Sequence, residues 1–336
     1  MATNFPTSLD TFPNAATLST HRLSTDPHSL LHGNIGDSLA AVQAKMGTDN
    51  SAVTSSMDYS LNNLKPALIQ GRLTLSSGVP VTTGDVTGAT TVYYTPYRGD
   101  NISLYSTTAG RWFTYTSPEV STSLSGLTAN LPADVFAYWT GSAVALEVVN
   151  WTNGTTRATG LALQDGVYTK SGNATRLYLG TICGSGTGTC EDSQKNRFVC
   201  NYANRQPRKF LGVEPSNTSW VYNTATYRPM NNNTGNQAHV VSGLGDTIVD
   251  FFMLGASTID VATTRYSGIG IDSTSTPSYD YNLGATATFL SYSYTYLKSY
   301  ITTGYHYIQP LECGAGSNNT TWYGQSVFGV SGILQG

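Results

Sequence analysis

At 336 residues the chain is long enough for two or three modules under a prior of roughly 150 residues each, so a sizeable core is within reach. Only 11% of residues are charged, against about 25% in an ordinary soluble protein, yet 22 Tyr, 10 Phe and 5 Trp supply too much aromatic surface for intrinsic disorder. A formal charge of −3 gives no cationic field for nucleic acid, and no run approaches the ~20 apolar residues of a membrane span.

In chain order, Met1 to Asp10 has neither the positive nor the apolar region of a secretory signal, which predicts a chain made and assembled in the cytoplasm. The first 26 residues are rich in Pro, Thr, Ser and Asn, with Pro6 and Pro13 spaced to prevent a long regular element, and read as an extended arm. Asp26 and Pro27 then supply a cap and a first helical residue. Apolar residues recur at Ile35, Leu39, Val42 and Met46, one stripe along a helix that Gly47 would end. A second stripe at Val53, Met57, Leu61 and Leu64 predicts a helix from near Asp49 or Ser51 toward Pro66. Helices this short are marginal alone and must pack on the rest of the chain or on copies of themselves. The narrow stripe at Ile35, Leu39, Val42 and Met46 is the candidate oligomerisation face, with a homotrimer as one outcome and packing on the body as the other.

From about Gly71 the period changes. Tyr93–Thr95, Arg111–Tyr115, Val135–Trp139 and Ala143–Val149 are strand-like runs rich in aromatic and β-branched residues. Thr140-Gly141-Ser142, Asn153-Gly154, Asp165-Gly166 and Ser171-Gly172-Asn173 punctuate them as turns, so successive hairpins are expected. Arg98-Gly99-Asp100 reads as a further turn. From about Gln206 the same grammar continues with still fewer charges. Phe289 to Tyr296 alternates hydroxyl residues with Leu290, Tyr292, Tyr294 and Tyr296. Such a strand is either covered on both faces by neighbouring subunits or half-exposed with its tyrosines inward. The fold class is therefore mainly β: a short N-terminal helical or coiled segment, residues 1–70, and antiparallel β-sandwich-like modules over 71–205 and 206–336.

Residues that tempt a chemical reading are few. Cys183, Cys190, Cys200 and Cys313 match no compact zinc spacing. Cys183 and Cys190 flank a glycine-rich loop and are a candidate disulfide, a pairing with Cys200 being equally permitted, and thiols are the expected state in a cytosol. His28 and His32 share a helical face without a carboxylate at metalloprotease spacing, so no metal is expected. Arg205, Arg208 and Lys209 are the densest basic cluster, short and without interleaved aromatics on both sides. No nucleophile with its base, carboxylate pair or phosphate loop is recognisable, which predicts no catalytic residues and no cofactor, although the two acids of a glycan-cleaving site can lie far apart in sequence.

One resemblance covers roughly residues 1–205. Asn4-Phe-Pro-Thr-Ser-Leu-Asp-Thr-Phe-Pro-Asn14, His28-Ser-Leu-Leu-His32 and Asp37-Ser-Leu-Ala-Ala-Val-Gln-Ala-Lys-Met-Gly47 resemble the N-terminal segment of tail-fibre and related appendage proteins of tailed bacteriophages. Tyr94-Thr-Pro-Tyr97, Leu124-Ser-Gly-Leu127, Thr156-Arg-Ala-Thr159, Leu163-Gln-Asp-Gly-Val167 and Leu179-Gly-Thr-Ile182 are similar to a β-rich module recurring in phage structural proteins. The resemblance implies a trimeric virion protein whose residues 1–70 dock onto tail, neck or capsid partners. A capsid decoration or head-fibre role and a polysaccharide-depolymerising tailspike are the alternatives, and a host-surface glycan is a candidate further partner. The cysteine set is a departure from that family's pattern.

Overall fold

A computed structural model describes residues 27–48, 51–63, 68–283, 290–316 and 318–336, with side chains described outside 27–34 and 61–63. The expected arm, the Asp26 cap, and Leu64, Pro66 and Phe289 lie outside the described residues. The chain is mainly β. It divides into two compact units, one made of residues 1–68 with Tyr105–Thr114 and the other of Ile69–Leu104 with Tyr115–Gly336.

In the first unit, α1 spans Pro27–Met46. Gly47 ends it at φ +83°, donating its N–H to the Gln43 carbonyl at 2.9 Å, a left-handed cap that only a residue without Cβ adopts without strain. α2 is shorter than its apolar stripe suggested and spans Met57–Asn63. The expected start near Asp49 or Ser51 is six or more residues too early, because Ser56 is the cap: its Oγ accepts from Tyr59 N at 3.2 Å and donates to Val53 O at 2.8 Å. Asp58, in the first turn, accepts from Ser51 N at 2.7 Å and folds the preceding segment back as a turn. Residues 105–114 belong to a two-stranded hairpin, Asn101–Ser106 with Arg111–Thr116, in which Trp112 meets Tyr105 edge-on with centroids 5.4 Å apart.

The second unit is built of hairpins, as the turn signals require. Pro132–Trp139 pairs with Val144–Asn150 across Thr140-Gly141-Ser142. Leu161–Gln164 pairs with Val167–Lys170 across Asp165 and Gly166, whose φ values of +51° and +82° suit the two-residue turn that matches strand twist. Arg98-Gly99-Asp100 forms the bend between Thr91–Pro96 and Asn101–Ser106. Three sheets result in this unit. Gly71–Thr74, Thr91–Pro96 and Val120–Ser123 make a three-stranded one. A fourteen-stranded sheet runs through Asn173–Gly186, Thr189–Asp192, Asn196–Arg197, Ala238–Ser242 and Gly304–Cys313, so it continues across residues 205 and 206. A six-stranded sheet is organised on Thr247–Ile259. Its ladders are antiparallel; the crossing in the large sheet uses a short parallel one, Asn196↔His239 and Arg197↔Val240.

One core joins these two larger sheets. Phe210, Phe251, Met253 and Val330 from the six-stranded sheet are buried against Val240, Ile269 and Ile308 from the other. Gly332, in the six-stranded sheet, is a tight approach: a Cβ would lie 2.6 Å from both Phe210 Cζ and Phe251 Cβ and 2.5 Å from Asp250 O. Gly332→Ala is therefore expected to destabilise the protein by about 1–3 kcal/mol through overpacking. Urea unfolding midpoints measure it, and an unchanged midpoint would mean that the strands flanking Gly332 in the six-stranded sheet are not so closely packed around it.

Candidate interaction surfaces

Two surfaces stand out, one in each unit. On α1, Ile35, Leu39, Val42 and Met46 are all exposed, between 44% and 54%, whereas Gln43 on another face is buried. Val53 and Met57 are exposed as well. The stripe read from the periodicity is thus real as a surface feature, and among the described residues nothing in this chain covers it. The side chains of His28 and His32 lie outside the described residues.

The second surface is the outer face of the six-stranded sheet. Ser291–Ile301 pairs along its whole length with Thr247–Ile259, setting Tyr292 opposite Ala256, Tyr294 opposite Leu254, Tyr296 opposite Phe252 and Tyr300 opposite Ile248. All four tyrosines are exposed, Tyr300 to 66%. Of the two arrangements expected for this strand, the half-exposed one is found, with the faces reversed: Ser293 and Thr295 are buried and the tyrosines point outward. The reason lies beneath the strand. Gly255, paired with Ser293, has no side chain, and Ser293 Oγ takes the space beside it, 2.9 Å from where a Cβ would stand. Buried Arg265 fills the neighbouring space and donates to Ser257 Oγ at 2.7 Å. Phe252 stacks on Tyr294, centroids 5.8 Å apart and 25° between planes, and Tyr292 meets Phe328 at 6.4 Å, so the face is rich in aromatic rings. Its charged members, Lys298 and Asp250, lie 4.0 Å apart and leave it close to neutral.

The remaining residues singled out by sequence are dispersed. Cys183, Cys190, Cys200 and Cys313 are buried, unbridged thiols. Cys190 Sγ faces the Cys183 carbonyl at 3.1 Å, and burial pushes the Cys183 thiol up to about 12. Arg205, Arg208 and Lys209 do not form a patch. Arg205 pairs with Asp246 at 3.0 Å, Arg208 is buried against Asp192 at 2.8 Å, and Lys209 alone is exposed. Among the described residues no three His, Cys, Asp or Glu side chains converge as a metal site would require.

Buried acids were not legible in the sequence, and three of them are held by arginine, whereas Glu214 accepts from Ser216 N and Asn233 Nδ2. Asp134 accepts from Arg157 Nε at 2.7 Å and from Thr181 Oγ1 at 2.7 Å. Asp192 is shared by Arg197 and Arg208. Glu312, fully buried, accepts from Arg228 Nε at 2.7 Å and Trp220 Nε1 at 2.8 Å. Burial outweighs those partners and raises the Glu312 carboxyl to about 7. These contacts read as structural pairing within the sheets.

No family model matches the chain, and no curated protein matches it. Weak overlaps with solved structures exist. An insecticidal delta-endotoxin, Cry8Ea1 from Bacillus thuringiensis, aligns with 80% of this chain and 52% of its own length at 7% identity and a TM-score of 0.23. The structure of the Gx strain of infectious bursal disease virus aligns with 76% of this chain and 77% of its own at 11% identity and a TM-score of 0.22. An isomalto-dextranase of Arthrobacter globiformis T6, complexed with panose, covers 91% of this chain and 43% of its own at 8% identity and a TM-score of 0.21. The chain spans about half the length of the delta-endotoxins it aligns with. Overlaps of this size identify no shared fold.

Glu312 gives a measurable pH signature. Because its carboxyl is raised above the ordinary value of 4.5, its contribution to stability is full below about pH 4.5 and is lost as pH rises through about 7. The thermal unfolding midpoint of Glu312→Gln is expected to vary less between about pH 5 and pH 8 than that of the parent chain. Equal pH profiles for the two proteins would place the origin of any such slope elsewhere.

Proposed function

We propose that this chain is a structural subunit of a tailed-phage particle, a homotrimeric tail or neck fibre or appendage protein rather than an enzyme. Residues 1–70 dock it onto other virion proteins, the β unit is built of sandwich-like modules, and the tyrosine-rich face of its C-terminal part is available to a host-surface glycan. The reading rests on the resemblance of residues 1–205 together with one structural observation: the uncovered apolar stripe of α1. Four large apolar side chains spaced along one helix and left half-exposed would each gain about 1 kcal/mol on completing their burial, half of the value for a fully exposed side chain. Copies of the same helix bury them in the way a short coiled seam does. The aromatic face supports the glycan part, because tyrosine rings stack on the apolar faces of pyranoses while their hydroxyls hydrogen-bond sugar hydroxyls.

Sedimentation of the full chain is expected to give a trimer, and the double variant Leu39→Asp, Val42→Asp a monomer with unchanged β-type circular dichroism. A parent chain that sediments as a monomer at about 10 μM overturns the trimer. Antibody-labelled particles address the location. Label at the tail or neck agrees with the appendage reading, and label confined to capsid faces replaces it with a decoration or head-fibre role. New reducing ends released from host polysaccharide would instead indicate a depolymerising tailspike.

A further inference from the structure

Asn153-Gly154 is the single Asn-Gly step in the sequence. It lies in the turn between Trp151 and Arg157, where Thr152 N and Asn153 N both donate to the Thr156 carbonyl, at 2.8 and 3.4 Å. Asn153 is exposed, and donors crowd its side-chain oxygen: Thr156 N at 2.8 Å, Thr155 N at 3.0 Å and Thr155 Oγ1 at 3.2 Å. All of them come from residues downstream of Asn153, so they turn its carboxamide toward the chain that follows. The Gly154 N–H has no acceptor among the described residues.

The side chain of an asparagine and the nitrogen of the next residue are joined through its own Cα. Asn153 Cγ and Gly154 N can therefore close a succinimide ring without bringing any distant segment together. Attack of that nitrogen on Cγ places negative charge on Oδ1, the atom on which the three donors converge, and donors preset on an oxygen that gains charge stabilise the transition state. Glycine leaves the nucleophile unhindered because it has no Cβ beside it. Two comparable turns lack that second requirement. Asn173 Oδ1 accepts from Thr175 N at 3.2 Å and Thr175 Oγ1 at 2.7 Å but is followed by Ala174, and Asn233 Oδ1 accepts from Gly235 N at 2.8 Å but is followed by Thr234.

We propose that Asn153 is a self-modification site, at which the turn promotes conversion of the carboxamide to an imide and then to aspartate or isoaspartate. The Gly154 nitrogen gives its proton to solvent and forms a bond to Cγ. The Cγ–Nδ2 bond breaks, and Nδ2 takes a proton from water and leaves as ammonia. Water then adds to either imide carbonyl and opens the ring to the α-linked or the β-linked acid. The turn is docked, which gives the change a structural consequence. Gly154 O accepts from Tyr305 N at 2.9 Å, and a Cβ on Gly304 would stand 2.7 Å from the same oxygen, at the start of the Gly304–Cys313 strand. Isoaspartate routes the backbone through the former side chain, lengthens the turn and displaces the Gly154 carbonyl from that strand. The β unit thus carries a timer that loosens one of its contacts with age. The inference stands independently of the virion reading.

The test incubates the full folded chain in mildly alkaline buffer beside the same chain unfolded in guanidinium at equal pH and temperature. Mass spectrometry of peptides spanning Asn153, with the isoaspartyl form separated, measures the conversion. Asn153 is expected to convert about 2- to 10-fold faster in the folded chain, the effect of one net hydrogen bond at the reacting oxygen, while Asn173 and Asn233 stay intact. Thr155→Val removes the Oγ1 donor but keeps the methyl beside Gly304, and is expected to slow the folded reaction by about the same factor. Gly154→Ala, where an added Cβ meets nothing within 4 Å, is expected to fold and to stop the conversion. Converted protein is expected to exchange the Tyr305 amide faster than fresh protein. Slower conversion in the folded chain than in the unfolded one would show that the turn protects Asn153, which overturns the proposal. A rate unchanged by Thr155→Val overturns it as well, and unchanged Tyr305 exchange overturns the timer. Should Thr155→Val fail to fold, the folded and unfolded rates of the parent chain decide.

Discussion

Backbone pairing along Thr247–Ile259 is the constraint on which the six-stranded sheet, and with it the aromatic face, depends. This strand carries Ser291–Ile301 along one edge and, along the other, Gly329–Gln335 followed by Thr320–Tyr323. Its alternation sends Val249, Phe251 and Met253 into the core and leaves Asp250, Phe252 and Leu254 on the outer side. A slip of one residue in any of these ladders would exchange the two sets, placing Asp250 in the core and Phe251 in water. The outward direction of Tyr292, Tyr294, Tyr296 and Tyr300 is therefore inherited from the register of their partner. It does not reflect a preference of tyrosine for water.

Charge is scarce in this protein, with 17 Lys and Arg and 20 Asp and Glu in the whole sequence, and several of those charges are interior. Arginine suits interior positions because its planar fork can engage several acceptors at once. Arg157 bridges Asp134 and the Gly243 carbonyl, and Arg208 bridges Asp192 and Thr82. Such contacts bring together segments far apart in sequence where few apolar side chains are available to do so. They also carry a liability. Removing one partner leaves the other charge buried and unpaired, which costs more than the pair contributes.

What could be read from the sequence is what is local. The bounds of α1, its glycine cap, the Thr140–Ser142 and Asp165-Gly166 turns and the strands beside them follow from residues adjacent to one another, whose preferences act before any tertiary contact forms. Where two local signals competed, the reading failed. The apolar spacing of Val53 and Met57 suggested a helix starting earlier than the Ser56 cap and the Asp58 bond to Ser51 allow. Non-local features were not accessible in this way. The inward turn of Ser293 and Thr295 follows their register with Gly255 and Met253, and the Asp192 cluster is assembled from strands with no common motif. The candidate interaction surfaces divide similarly: the α1 stripe is a pattern within twenty residues, whereas the exposure of the tyrosine row is a property of the sheet.

The ladder between Pro207–Val213 and Gly329–Gln335 bears on the order in which the protein can be made. A ribosome adding roughly 5–20 residues per second delivers the later strand on the order of ten seconds after the earlier one. Throughout that interval Phe210 lacks Val330 and Leu334 of its core cluster, and the backbone of its strand lacks the partner that completes its hydrogen bonding. Long-range pairing of this kind also slows folding, because the intervening loop must close before the contact stabilises anything. The nascent chain consequently presents a sticky intermediate while translation continues. Its yield should respond to elongation rate, temperature and chaperone supply more than the stability of the finished fold would suggest.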